Sequence, residues 1–126
     1  MGSTRFPEKM VTRLGNYCLL EWVLLRTKQA KKIDRIVLAT TTLVQDNILQ
    51  EIAEKHGISV FRGSELDVVE RFIKTSKHFR AENIIRICAD NPFVDPVEID
   101  RLTDFFETNH YDYACNHKNT MGSGYA

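Results

Sequence analysis

Residues 35–61 read RIVLATTTLVQDNILQEIAEKHGISVF, and this stretch decides the fold. The run Arg35-Ile36-Val37-Leu38-Ala39 is short and apolar, the composition of a buried strand, and it ends in Thr40-Thr41-Thr42. A helix is predicted over residues 44–56, where Ile48, Leu49, Ile52 and Ala53 share one face and Gly57 supplies the stop. Ser59-Val60-Phe61 then reads as a second strand. Strands separated by a helix of this length imply a right-handed crossover and a parallel pair.

The same alternation extends both ways. Upstream, Leu19, Leu20, Val23, Leu24 and Ala30 keep a helical period over residues 17–31. Residues 1–16, punctuated by Gly2, Pro7, Gly15 and Asn16, read as a loop. Downstream, Val68, Val69, Phe72, Ile73, Ser76 and Phe79 mark a third helix starting near Asp67. NIIRIC at 83–88 reads as a strand, ADNPFVDP at 89–96 as a loop, and 97–109 as a helix with Ile99, Leu102, Phe105 and Phe106 on its apolar stripe. Residues 111–115 read as a last short strand. The whole predicts an α/β fold: a three-layer, doubly wound, mainly parallel sheet of Rossmann-like type, forming one nucleotide-binding domain over residues 1–126. Ligands of such sheets bind beyond the carboxyl ends of the strands. That edge holds Thr40-Thr41-Thr42, Arg62-Gly63-Ser64-Glu65 and Ala89-Asp90-Asn91-Pro92. Phe72, Phe79, Phe105 and Phe106 are expected in the core, Trp22 on the sheet or a partner subunit, and Lys28, Lys31, Lys32 and Arg35 at a solvated helix end.

Composition excludes several classes. The 17 basic and 17 acidic residues cancel, so no global field draws the chain to nucleic acid or an anionic membrane. Cys18, Cys88 and Cys115 are scattered, and the four histidines lie in separate segments, so neither a disulfide framework nor zinc-ligand spacing is present. Apolar runs are far shorter than a membrane span and the N-terminus lacks a signal-peptide core, so a cytoplasmic protein is expected.

Three clusters could carry chemistry. Gly2-Ser3-Thr4-Arg5-Phe6-Pro7-Glu8-Lys9 combines a backbone able to approach phosphate, two hydroxyl donors, a guanidinium fork and a mobile ammonium. That set suits a leaving pyrophosphate, although composition alone favours an ordinary polar terminus, and the spacing is not that of a Walker A loop. Asp90 follows an apolar strand and offers one hard oxygen ligand for Mg²⁺, although the residues alone favour a turn cap before Pro92. Asp95 before Pro96 reads as a helix N-cap. Arg62 is a pure donor at a strand end, either for a ligand or for a surface pair with Glu65 or Asp67.

GSTRFPEK resembles the phosphate loop of the cytidylyltransferases that activate acidic sugars. These are the acylneuraminate and 3-deoxy-manno-octulosonate enzymes and, most closely, spore-coat polysaccharide proteins of SpsF type. LLEWVLLRTKQAKKIDRIVLATTT, VFRGSELDVVERF and RICADNPFVDPVEID are similar to further segments of that family, in the same order. Cys88 and Ala89 depart from its more usual Thr and Gly. The resemblance implies transfer of CMP from CTP to an acidic sugar with release of pyrophosphate, for surface polysaccharide. In it Gly2, Ser3, Thr4, Arg5 and Lys9 bind the phosphates, Arg62 reads cytosine beside Ser64, and Asp90 holds Mg²⁺. Arg5, Lys9 and Asp90 would carry catalysis. It also implies a homodimer and a sheet incomplete at both ends, so that the 126 residues alone are expected to be inactive. Another sugar nucleotidyltransferase, a glycosyltransferase of similar fold and a non-catalytic nucleotide-binding module are the alternatives.

Overall fold

The computed structural model describes residues 6–116, with side-chain burial from residue 8 onward. Its elements are helix α1 (Phe6–Met10), strands β1 (Arg13–Leu14) and β2 (Tyr17–Cys18), helix α2 (Leu19–Thr27) and strand β3 (Val37–Thr41). A 3₁₀ turn (Val44–Asp46) leads into α3 (Asn47–Lys55), followed by β4 (Ser59–Gly63), α4 (Val68–His78) and α5 (Pro96–Thr108).

The deciding stretch folds as expected. β3 and β4 pair in parallel, with Ala39 opposite Phe61 and Thr41 opposite Gly63, and α3 forms the crossover. Gly57 adopts φ +71°, the left-handed conformation that ends α3 at little steric cost. Asp67 caps α4 by accepting the Glu70 amide at 2.9 Å. Asp95 caps α5 through the Val97 amide at 2.9 Å, with Pro96 in the first turn.

Residues 6–18 hold more structure than the predicted loop. α1 leads into an antiparallel hairpin in which Leu14 faces Tyr17 across the two-residue turn Gly15-Asn16. Gly15 sits at φ +72°, as the first position of such a turn demands. The segments 83–88 and 111–115, expected as strands, join no ladder among the described residues, whose sheets are the two pairs β1–β2 and β3–β4. The physical reason is that an apolar run marks a buried face, whereas a strand also needs an edge partner for its amides and carbonyls. Ile85 and Ile87 do pack inward, while Ile84 is exposed.

Helix α2 stops at Thr27 instead of continuing to Lys31. The Asp100 carboxylate accepts the amides of Lys31 and Lys32 at 2.8–3.0 Å, which fixes them outside the helix. The basic run is accordingly engaged, not merely solvated. Lys28 donates to the His56 carbonyl, Lys32 pairs with Asp104 at 2.7 Å, and the Arg35 guanidinium lies 5.3 Å above the Phe79 ring.

α2 serves two core clusters. Leu20 and Leu24 pack with Cys18, Leu38, Leu49, Ala53 and Ile58, and Met10, Val11 and Ala89 lean on that group. Val23 packs with Val94 and Ile99. Contrary to expectation, Phe105 is half exposed and meets the Tyr111 ring at 5.3 Å. No described helix is long and apolar enough to cross a membrane.

Candidate active site

Two of the residues singled out by chemistry meet in space. Lys9, in the last turn of α1, places its Nζ 3.0 Å from Asp90 Oδ2, across 81 positions of sequence. The core explains the meeting: Met10 and Val11 after Lys9, and Ala89 before Asp90, all pack on the Leu20–Leu24 cluster. The flanking charges are thereby delivered side by side at the surface. The ammonium side chain is 56% exposed and the carboxylate side chain 35%, so both remain open to a ligand. Asn91 shapes the following turn, where its Oδ1 accepts the Phe93 amide at 3.0 Å. Gly2, Ser3, Thr4 and Arg5 lie outside the described residues.

At the end of β4 the geometry is more closed. Arg62 donates from Nε to the Thr41 carbonyl at 2.5 Å and from Nη2 to the Leu43 carbonyl at 2.6 Å. Its Nη1 donates to Asn47 Oδ1 and Gln50 Oε1, both at 2.9 Å. Those four bonds take four of the five N–H groups that a guanidinium carries. Arg62 therefore clamps residues 41–50 onto β4, and its partners are neither Glu65 nor Asp67. Ser64 is likewise occupied, its Oγ accepting the Asp67 amide at 3.0 Å and its carbonyl accepting Arg71 Nη1 at 2.7 Å.

Sequence reasoning passed over Asp46 and Arg71. Asp46 is buried at the end of the 3₁₀ turn, where α3 begins. Its Oδ2 accepts Thr40 Oγ1 at 2.8 Å, Thr41 Oγ1 at 2.5 Å and the Thr41 amide at 3.2 Å. Thr40 and Thr41 of the threonine triplet are thus a donor set for one carboxylate. An acidic residue a few positions beyond a run of hydroxyls was the available signal. Arg71, on α4, lies under Gly63, where an added Cβ would stand 3.1 Å from Arg71 Cγ and from Phe61 Cε1. Burial pushes its guanidinium pKa down; the Asp46 carboxylate opposes that shift and nearby Arg86 adds to it. Together Asp46, Arg62 and Arg71 hold the loops at the carboxyl ends of β3 and β4 in fixed shape.

Among the described residues no group of three or more His, Cys, Asp or Glu is arranged to hold a metal ion. Asp90 offers a single accessible carboxylate, which fits a Mg²⁺ ion that completes its shell with water and substrate phosphates. Mg²⁺ bound there would neutralise charge on the phosphates. Lys9, 3.0 Å from that carboxylate, would offer a positive charge to the same group.

A family model described as cytidylyltransferase matches residues 1–124. An uncharacterized protein of Methanocaldococcus jannaschii is 39% identical over 121 residues, covering 96% of this chain and 50% of the relative. The spore coat polysaccharide biosynthesis protein SpsF of Bacillus subtilis is 39% identical over 122 residues, covering 92% and 51%. A 3-deoxy-manno-octulosonate cytidylyltransferase of Solibacter usitatus is 29% identical over 100 residues, covering 78% and 38%. The solved structure of a cytidylyltransferase from Leptospira borgpetersenii superposes with a TM-score of 0.75 at 35% identity, over 86% of this chain and 46% of that one. The chain spans about half the length of the first two relatives. A match across nearly every residue, together with an α/β fold shared with a solved member, establishes that the chain belongs to the cytidylyltransferase family.

Proposed function

We propose that the protein transfers CMP from CTP to an acidic sugar and releases pyrophosphate, in the synthesis of a surface polysaccharide. The observation that carries this reading is the meeting of Lys9 and Asp90 at 3.0 Å. A nucleotidyl transfer needs a cation for the departing phosphates beside a carboxylate for Mg²⁺, and these two side chains supply both. The sugar hydroxyl oxygen bonds to the α-phosphorus and gives its proton to water, the bond from that phosphorus to the oxygen bridging to the β-phosphate breaks, and charge collects on pyrophosphate. Lys9, with Arg5 and the backbone and hydroxyls of Gly2, Ser3 and Thr4, stabilises that charge. No protein nucleophile is required, because positioning and charge neutralisation lower the barrier. The active form is a cytoplasmic homodimer.

Arg62 favours a second reading of base selection. With four donors committed to residues 41–50, it selects cytosine by holding the Thr41–Leu43 backbone as well as through its remaining N–H. A weaker role in direct readout would widen nucleotide choice toward that of other sugar nucleotidyltransferases. The test is Mg²⁺-dependent pyrophosphate release by the full-length protein with CTP, UTP, GTP and ATP. CTP alone should support turnover with an acidic 2-keto sugar. Equal use of the four nucleotides would overturn the cytidylyl reading, and nucleotide binding without turnover would leave a binding module.

A further inference from the structure

Lys9 and Asp90 are each suited to a different part of one substrate, the ammonium to phosphate and the carboxylate to the metal. Without ligand each is satisfied by the other, at 3.0 Å. We infer that this pair is a mutual block, which the metal ion and the phosphate chain lift only together. The inference rests on the nucleotidyl-transfer reading of the site.

A phosphate chain arriving without metal must draw Lys9 away from Asp90, leaving a bare carboxylate beside a polyanion. A metal ion arriving alone must draw Asp90 away from Lys9, leaving an ammonium beside a dication. When both arrive, the metal compensates Asp90 and the phosphate compensates Lys9. Each ligand removes what opposed the other, and such coupling is reciprocal by thermodynamic necessity. Exchange is easy because both side chains reach solvent, at 56% and 35% exposure, where an ion pair opens at little cost. No other ion pair among the described residues involves either side chain.

Calorimetric titration of the full-length protein tests this with three probes: pyrophosphate in the presence of a chelator, Mn²⁺ alone, and CTP with Mg²⁺. Asp90→Asn should bind metal-free pyrophosphate about three- to tenfold more tightly than the parent, the scale of an exposed pair removed together with its repulsion. Lys9→Met should bind Mn²⁺ alone more tightly by a similar factor. In the Lys9→Met background, Asp90→Asn should gain clearly less for pyrophosphate, since the block is already gone. Equal gains with and without Lys9 would mean simple repulsion and would overturn the block, as would no gain at all. Binding of CTP with Mg²⁺ by the parent separates the two claims. Its absence overturns the nucleotidyl-transfer reading and this inference with it, whereas its presence without the Asp90→Asn gain overturns the block alone.

Discussion

The contacts Glu21–His56 and Lys9–Asp90 each join residues far apart in sequence, and their surroundings are opposite. Glu21 and His56 meet at 2.9 Å with side chains 8% and 14% exposed, whereas Lys9 and Asp90 meet at 3.0 Å with both side chains open to water. Glu21 has further partners. Its Oε2 accepts the Cys18 amide at 2.9 Å, reaching back over the start of α2 as a capping residue does, and Lys55 lies 3.6 Å from Oε1. The His56 hydrogen bond first, and the Cys18 amide second, hold its carboxyl down at about 2. The buried pair binds α2 to the end of α3 and belongs to the fold. The open pair is cheap to separate, which is what a site that must exchange partners requires.

The largest effect that would sharpen this contrast is on stability. Glu21→Ala should cost about 3 kcal/mol, because it leaves the buried His56 ring nitrogen without its hydrogen-bond partner and uncaps α2. Urea denaturation measures it, and a loss below about 1 kcal/mol would place the pair with surface pairs. Next in size is the effect on activity. Lys9→Ala should lower kcat/KM for CTP by about a hundredfold, the scale of lost charge stabilisation in a transition state. An unchanged rate would remove Lys9 from the mechanism.

Acid titration separates the two pairs further. The folded value of Glu21, about 2, lies below its ordinary 4.5, so the unfolded chain takes up the proton more readily. Its contribution is therefore complete above pH 4.5 and is lost as pH falls toward 2. Melting temperature followed across that window should fall less steeply in Glu21→Gln than in the parent. Identical slopes would assign the acid sensitivity to other carboxylates. The smallest effect belongs to Asp90→Asn, which should change stability by less than about 1 kcal/mol while raising the Mg²⁺ requirement for turnover. Parental Mg²⁺ dependence would make Asp90 a structural residue.

Much of this could be read from the chain itself, for identifiable reasons. The β3–α3–β4 unit was legible because apolar period, Gly57 and strand composition agree, and Asp95 because capping chemistry is local. The segment 83–88 was misjudged because nothing in its isoleucine-rich run names its edge partner. The β1–β2 hairpin was missed because two-residue strands leave no period to detect. Lys9 and Asp90 were singled out by the family resemblance, since residue type alone favoured a polar terminus and a turn cap, and a contact across 81 positions is a property of packing. Arg62 shows the converse. Its type announces a donor, while only the fold reveals that Thr41, Leu43, Asn47 and Gln50 already receive it.

The hairpin has a spectroscopic consequence. The chain has a single tryptophan, Trp22. Its indole Nε1 donates to the Leu14 carbonyl at 2.7 Å, and its ring meets Tyr17 edge-on at 5.1 Å. Intrinsic emission therefore originates at the contact between α2 and the hairpin that follows α1, the helix carrying Lys9. Detachment of that hairpin would red-shift the fluorescence while the Leu20–Leu24 core and the helical circular dichroism stayed intact. The native chromophore is thus a built-in gauge of how firmly the lysine-bearing segment is seated.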